Sequence, residues 1–414
     1  MKIYKFGGAS VKDAESVKNV AEVLKKAGYE NTFMVLSAMG KTTNALEEVV
    51  EKYMQKQNFE EKIAEIQQAH IKIAEGLFVD VAPITSEIKS FFAELVDFLK
   101  RNKSPNYNYI YDQVVCCGEL ISTKIVGAYL NSIQINNQWL DVREFIKTDS
   151  SYREGKVNWN ETEKNIAQLE KNTFYITQGF LGSDENGFTV TLGREGSDYT
   201  AAIFAYCLHA ESMTIWKDVP GVLNADPRYF SETQLLHHIS YEEAIELAYY
   251  GASVIHPKTM QPLQRKNIPF FVKSFLHPME AGTSVKNGEP LQPLVPCFIV
   301  KKNQLLLSLS TKDFSFIAEE NLSQIFKLLA NFGIKVNLMQ VSAISLSLVL
   351  EDKFKNINHL LSEIESIYFT QLTESTSLYT VRHFNQKAKE EIEKNKSILL
   401  EQTVKETLQL VVKE

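Results

Sequence analysis

Apolar positions along the chain repeat with two alternating periods. Lys2 to Phe6 is a short β-prone run that enters Gly7-Gly8-Ala9-Ser10. From Asp13 to Lys26, Val17, Val20, Ala21 and Leu24 recur at helical spacing, and Ser10 followed by Asp13 has the form of a capping box. The unit repeats: Thr32 to Leu36 ends in Ser37-Ala38-Met39-Gly40 and leads to a helix from about Thr43 to Tyr53. Glu60 to Lys100 reads as two amphipathic helices with Pro83 between them. Gln113 to Cys117 then reads as an apolar strand ending at Gly118-Glu119, followed by a helix from Leu120 to Leu130. Further strands are expected at Ile133 to Ile135, Thr173 to Thr177, Thr189 to Leu192 and Ser212 to Trp216, with a helix from Asp198 to Ala210. Strands alternating with helices predict an α/β fold, a mainly parallel sheet covered on both faces.

The composition shifts at Lys286 to Pro296, where Gly288 stands among Pro290, Pro293 and Pro296; a linker is expected there. Beyond it the order changes to β-α-β-β-α-β: Leu305 to Ser310, a helix over Ala318 to Phe332, Val336 to Val341, Ser345 to Leu350, a helix over Asn356 to Ile364, and Tyr368 to Leu372. That is the ferredoxin-like pattern. A shorter β-α-β-β run from Leu378 to Val412 reads as an incomplete second copy. The expected division is 1–285, a linker at 286–297, a first ferredoxin-like region at 298–374 and a shortened second one at 375–414.

A chain of 414 residues suits two or three domains. Its 44 Lys and Arg against 51 Asp and Glu leave a net charge of −7, which supplies no basic footprint for nucleic acid or anionic lipid. No run of about 18 apolar residues occurs and the start MKIYKFGGAS has no secretory pattern, so a cytoplasmic location and no membrane partner are expected. The four cysteines, two of them adjacent at Cys116-Cys117, fit neither a disulfide framework nor a CxxC metal site.

The chemistry-bearing segments sit at strand ends. Lys5 through Ser10 places a cation, two glycines and a helix N-terminus together, an arrangement suited to phosphate, though a tight turn alone explains the glycines equally well. Gly40-Lys41-Thr42 imitates the tail of a Walker A loop, but Val35 occupies the place of its first glycine, and no GxGxxG occurs. In Thr191 to Thr200, Arg194 can grip a carboxylate with its planar fork, while Asp198 can cap the helix or face an ammonium. Trp216 to Leu223 repeats the pattern of strand end, charged pair and turn. His237, His238 and His256 have no partners at metal-ligand spacing, so no metal site is read from the protein's own side chains.

Taken in order, KFGGAS (5–10), SAMGKTTNAL (37–46), GELIST (118–123), DVREFIKTD (141–149), QGFLGSDENGFTVTLGREGSDYTAA (178–202), WKDVPGVLNADPR (216–228) and GASVIHPKT (251–259) resemble the motifs of aspartate kinases along essentially the whole chain. The resemblance implies a three-layer α/β/α amino-acid-kinase domain followed by ferredoxin-like ACT domains, and a monofunctional enzyme that phosphorylates the β-carboxylate of L-aspartate with Mg²⁺ and ATP. Matched position by position, it implies that Lys5 stabilises the transferring phosphoryl group, with amides from Gly7 and Gly8. Ser37 and Thr43 would position aspartate, Glu119 would receive its ammonium, and Arg194 would hold its α-carboxylate beside Gly196 and Ser197, with Asp198 completing the charged network. Lys217, Asp218, Leu223, Arg228, Ser253 and Val254 fall where the family contacts ATP. Ala9 stands in place of the family's usual Thr, and Lys217, Leu223 and Ser253 also depart from common residues.

ACT domains imply assembly into a homodimer or larger homo-oligomer and an amino-acid effector. The stretch 336–343 resembles the effector strand of lysine-sensitive members, which points to Asn337, Met339 and Ser342 and to lysine, bound weakly because Asn337 is uncharged. Two alternatives stay open: a related kinase acting on glutamate or N-acetylglutamate, and an amino-acid sensor built on an inactive kinase fold. Glu119 with Arg194 argues for a free amino acid, because an acetylated nitrogen offers no ammonium.

Overall fold

The computed structural model describes residues 1–252 and 255–413. The chain divides into two compact units, the first formed by residues 1–222, 235–245 and 254–292, the second by 223–234, 246–253 and 293–414.

The first unit is built on β1 (Lys2–Phe6), α1 (Ala14–Ala27), β2 (Thr32–Leu36), α2 (Thr42–Met54), α3 (Glu60–Glu75), α4 (Ala82–Arg101) and α5 (Tyr107–Ser132). It continues through β3 (Gln138–Leu140), α6 (Val142–Phe145), α7 (Trp159–Ile166), β4 (Tyr175–Gln178), the hairpin β5 (Leu181–Ser183) and β6 (Thr189–Thr191), α8 (Gly196–Cys207) and β7 (Ser212–Lys217). The short strands β8 (Val222–Leu223), β9 (Leu235–Leu236) and β10 (His238–Ser240) follow, then α9 (Tyr241–Tyr250), α10 (Pro257–Arg265), β11 (Phe270–Ser274) and β12 (Thr283–Lys286); Leu223 of β8 and residues 246–250 of α9 are counted with the second unit. Eight strands form one sheet in the order β10-β12-β11-β7-β1-β2-β4-β3. Every pairing in it is parallel except β11 with β12. The central strands are buried on both faces, which is why β2 reads TFMVL without alternation.

Two expectations need correction. Gln113 to Cys117 is not a strand: it lies inside α5, a single helix of 26 residues that carries Gly118 and Glu119 in its middle. Residues 110–130 of this helix are buried nearly all round, so its apolar residues lose the 3.6-residue stripe that marks a surface helix. The strand expected at Ile133 to Ile135 lies instead at Gln138–Leu140. Cys116 and Cys117 are buried free thiols on α5.

The second unit contains β13 (Cys297–Thr311), α11 (Glu319–Asn331), β14 (Lys335–Val341), β15 (Ser345–Glu351), α12 (Ile357–Ile364), β16 (Tyr368–Arg382), α13 (Gln386–Glu393), β17 (Ser397–Val404) and β18 (Thr407–Lys413). They form one six-stranded antiparallel sheet, β14-β15-β13-β16-β18-β17. The 15-residue strands β13 and β16 run through both halves. In the first half, Leu305 to Thr311 and Tyr368 to Leu372 are the first and last strands of the βαββαβ order. In the second, the missing last strand is supplied by Cys297 to Lys301, which pair with Leu378 to Arg382. The second copy thus lacks a helix but not a strand.

Candidate active site

Parallel strands deliver their following loops to one edge, so β1, β2, β4 and β7 bring residues 7–10, 37–41, 179–180 and 218–221 to the carboxyl side of the sheet, where α/β proteins bind ligands. Lys5 stands one residue before the end of β1 between Val35 and Ile215. Gly7 is extended and Gly8 opens a 3₁₀ turn (Gly8–Val11). A Cβ on Gly8 would lie 2.8 Å from the Ala38 carbonyl oxygen and 2.9 Å from that of Gly40, so only glycine allows the two loops to touch. The Gly40 amide donates to the Gly8 carbonyl at 3.1 Å.

The Lys5 ammonium lies 2.7 Å from Asp198 Oδ1, with the side chains only 11% and 5% exposed. The contact is an ion pair whose angle aligns no hydrogen bond on that oxygen. Asp198 does not cap α8. Glu195, in a left-handed conformation (φ 54°), occupies the cap position without a side-chain bond, and Asp198 sits in the first turn, where the helix dipole favours a negative charge. Ser197 and Gly196 are buried in that same turn, and Arg194 projects exposed from the loop before it.

Glu119 reaches the site from α5. A Cβ on Gly118 would already lie 3.1 Å from the Ala38 Cβ and 3.2 Å from the Thr42 methyl, so the helix is pressed against the second loop. Ser122 Oγ donates to the Ser37 carbonyl at 2.8 Å, and Thr42 Oγ1 donates to Met39 at 2.6 Å, which fixes that loop on both sides. Glu119 is 3% exposed, and its Oε2 has no partner. Burial pushes its carboxyl up to about 8. Ala38, packed between Gly8 and Gly118, places the expected ammonium receptor beside the glycine turn. Ser37 is half-buried at the end of β2, and Thr43 lies in the first turn of α2.

On the side expected to hold the nucleotide, Lys217 ends β7 and Asp218 is exposed just after it. Leu223 and Arg228 belong to the second unit, where the exposed Arg228 guanidinium lies against Asp226 at 2.6–3.0 Å. Ser253 and Val254 lie outside the described residues. Among the described residues there is no cluster of three or more acidic, histidine or cysteine side chains fit to hold a metal. The site offers Asp198 as a buried carboxylate, which fits an ion that arrives on nucleotide phosphates and keeps water ligands.

In the second unit, Asn337 is half-buried and both ends of its amide are engaged. Its Oδ1 accepts from Lys301 Nζ at 2.8 Å and its Nδ2 donates to Gln304 Oε1 at 2.7 Å. Asn337 and Lys301 border a cavity of about 60 Å³ lined also by Tyr249, Tyr250, Lys335 and Thr380. Met339 and Ser342 are exposed at the other end of β14. Sequence reasoning overlooked Asp112, seven residues before Glu119 on α5 and completely buried; that spacing, two helical turns, was the available signal.

A model of the amino acid kinase family matches residues 1–274. Lysine-sensitive aspartokinase 3 of Escherichia coli is 34% identical over 84% of this chain and 78% of its own length. Aspartokinase 1, chloroplastic, of Arabidopsis thaliana is 30% identical over 92% of this chain and 70% of its own. Among solved structures, E. coli aspartokinase III in complex with aspartate and ADP (R-state) superposes with a TM-score of 0.82 at 29% identity, covering 100% of this chain and 96% of that one. Its complex with lysine and aspartate (T-state) gives the same score, identity and coverage. The strand-end lysine, the glycine turn and the buried carboxylate of α5 thus stand in a chain that belongs to the aspartokinases of the amino acid kinase family.

Proposed function

We infer that this protein transfers the γ-phosphoryl group of ATP to the β-carboxylate of L-aspartate, giving 4-phospho-L-aspartate and ADP, the opening step of lysine, threonine and methionine biosynthesis. The observation that carries this reading is the buried Lys5–Asp198 pair at the end of β1, set beside Gly8, whose contact with Ala38 continues to Gly118 and so to a buried carboxylate, Glu119, that has one oxygen left without a partner. A carboxylate oxygen attacks phosphorus, the bond to the ADP oxygen breaks, and its electron pair leaves with ADP. The nucleophile is already ionised at neutral pH, so the step needs no general base; it needs alignment and positive charge facing the transferring group. Lys5 supplies that charge, and Asp198 holds its ammonium at the strand end. Gly7 and Gly8 offer amides to phosphate. Glu119 takes the substrate ammonium and Arg194 its α-carboxylate, with Ser37, Thr43, Gly196 and Ser197 lining the same site. Lys217, Asp218, Leu223, Arg228, Ser253 and Val254 serve the nucleotide. Magnesium, bound with ATP, neutralises phosphate charge when present, and Asp198 is the carboxylate suited to take one of its positions.

The catalytic region spans 1–285 and the regulatory ACT regions follow a linker at 286–297; the enzyme works in the cytoplasm as a homodimer or larger homo-oligomer. No helix among the described residues is long and apolar enough to cross a membrane. The lysine-sensitive relative supports lysine as effector, read at Asn337, Met339 and Ser342. Binding is weak here, because Asn337 is neutral and its amide oxygen is already taken by Lys301. ADP release measured with aspartate, glutamate and N-acetylglutamate tests the substrate. Turnover with aspartate alone is expected, and faster turnover with either alternative overturns the assignment. Strong inhibition by threonine or methionine with none by lysine overturns the effector.

A further inference from the structure

Glu119 and Arg194 come from elements far apart in sequence, a helix and a turn, and gripping both ends of one α-amino acid requires a fixed spacing between them. The only buried acid on α5 besides Glu119 among the described residues is Asp112, two helical turns or about 10 Å earlier along the axis and on the same side. Its Oδ2 accepts the Thr191 amide at 2.9 Å and the Arg153 amide at 2.9 Å, and its Oδ1 accepts the Thr191 hydroxyl at 2.8 Å. Thr191 ends β6, three residues before Arg194. The Thr191 carbonyl in turn accepts the Gly155 amide at 2.9 Å, which lays residues 153–155 along 191–193. Arg153 holds a left-handed backbone (φ 70°), and its guanidinium lies 4.2 Å from the centre of the Tyr111 ring, the neighbour of Asp112. Tyr111 donates to Glu47 on α2 at 2.7 Å. Every contact of the Asp112 carboxylate thus ends on the segment that leads into the Arg194 turn or on the loop that supports it.

We propose that Asp112 is a positioning residue for aspartate: it clamps the strand end before Arg194 to the helix that carries Glu119, and so sets the distance between the two groups that grip the substrate. The clamp makes no contact with substrate, and it acts on only one of the two substrates. The inference rests on the aspartate site assigned above. Asp112→Ala leaves the buried Thr191 amide and the partly buried Arg153 amide without this acceptor and frees the turn. Asp112→Asn keeps an oxygen for both amides and offers its NH₂ to the Thr191 hydroxyl, so it is the conservative rescue.

Steady-state kinetics of the full-length enzyme test this. Asp112→Ala is expected to raise the aspartate KM at least tenfold while the ATP KM stays within twofold, and Asp112→Asn to return the aspartate KM to within threefold of the parent. Thr191→Val removes a single bond of the clamp and covers the case in which Asp112→Ala does not fold; an aspartate KM raised two- to fivefold with an unchanged ATP KM is expected. An unchanged aspartate KM in Thr191→Val and a folded Asp112→Ala, or equal losses for both substrates that Asn does not rescue, would overturn the clamp. Unchanged aspartate KM in Arg194→Lys and Glu119→Gln would instead overturn the site assignment itself, whatever Asp112 does.

Discussion

A buried lysine and a half-buried one are held in opposite ways. Lys5, in the first unit, meets a carboxylate at 2.7 Å. Among the described residues, the Lys301 ammonium, in the second unit, meets the amide oxygen of Asn337 at 2.8 Å and no carboxylate, and burial together with the neighbouring Lys335 pulls it below the usual lysine range, with Glu351 opposing. A counter-charge offsets the cost of taking a cation out of water, whereas a neutral dipole returns little of it. The first arrangement suits a group whose charge is used in every turnover. The second is a poor receptor for another cation, which explains why an effector carrying an ammonium should bind weakly near Asn337.

The sharpest way to break this contrast is to remove each cation in turn. Lys5→Met should lower kcat about 100- to 1,000-fold, the usual effect of losing one electrostatic stabiliser in a site sheltered from water. A near-normal kcat in the folded variant would remove Lys5 from the chemistry. The same change strands Asp198, and loss of one member of a buried pair typically costs about 3–5 kcal/mol, so chemical denaturation should show a clear fall in stability that Lys5→Met/Asp198→Asn partly restores.

Next in size is Glu119, a buried carboxyl that is not paired in the free protein. It is protonated below about 8, while the substrate ammonium needs its carboxylate. The aspartate KM should therefore fall about tenfold per unit as pH rises from 6 towards 8 and level off above, and Glu119→Gln should raise KM and flatten this limb. Stability runs the other way. The unfolded chain releases this proton near 4.5 and the folded chain near 8, so folding loses stability as pH rises through that window. Thermal melts should find Glu119→Gln more stable than the parent at pH 8 and equal to it below about 4.5. The smallest effect is expected at Lys301→Met, which removes a poorly compensated charge: basal kcat unchanged and stability within about 1 kcal/mol. A large loss there would show that Lys301 is better paired than its Asn337 contact implies.

The strand-end placement of Lys5, Ser37 and Lys217 was legible in the sequence because glycines mark where β1 stops and because the three lie at or beside the ends of strands that are neighbours in the sheet. α5 was not. Its QVVCC segment is buried on every side, so it shows neither helical nor strand periodicity, and its β-branched residues tip the local reading towards a strand. The partners of Asp112 and Lys5 were equally hidden, since Thr191 and Asp198 lie 79 and 193 residues away and only the tertiary fold brings them close. The second ACT copy reads as incomplete for the same reason: its last strand precedes the first copy in sequence.

That borrowed strand has a consequence for synthesis. Residues 297–301 are made early, but their partner on β16 has no covered far edge until β18, at 407–413, has formed. A growing chain that has produced β16 alone presents an open row of backbone donors and acceptors from Thr376 to Arg382, a template for pairing with other chains. The first half can close as soon as Tyr368 to Leu372 is made, but the second stays open along β16 until β18, the last strand of the chain, arrives.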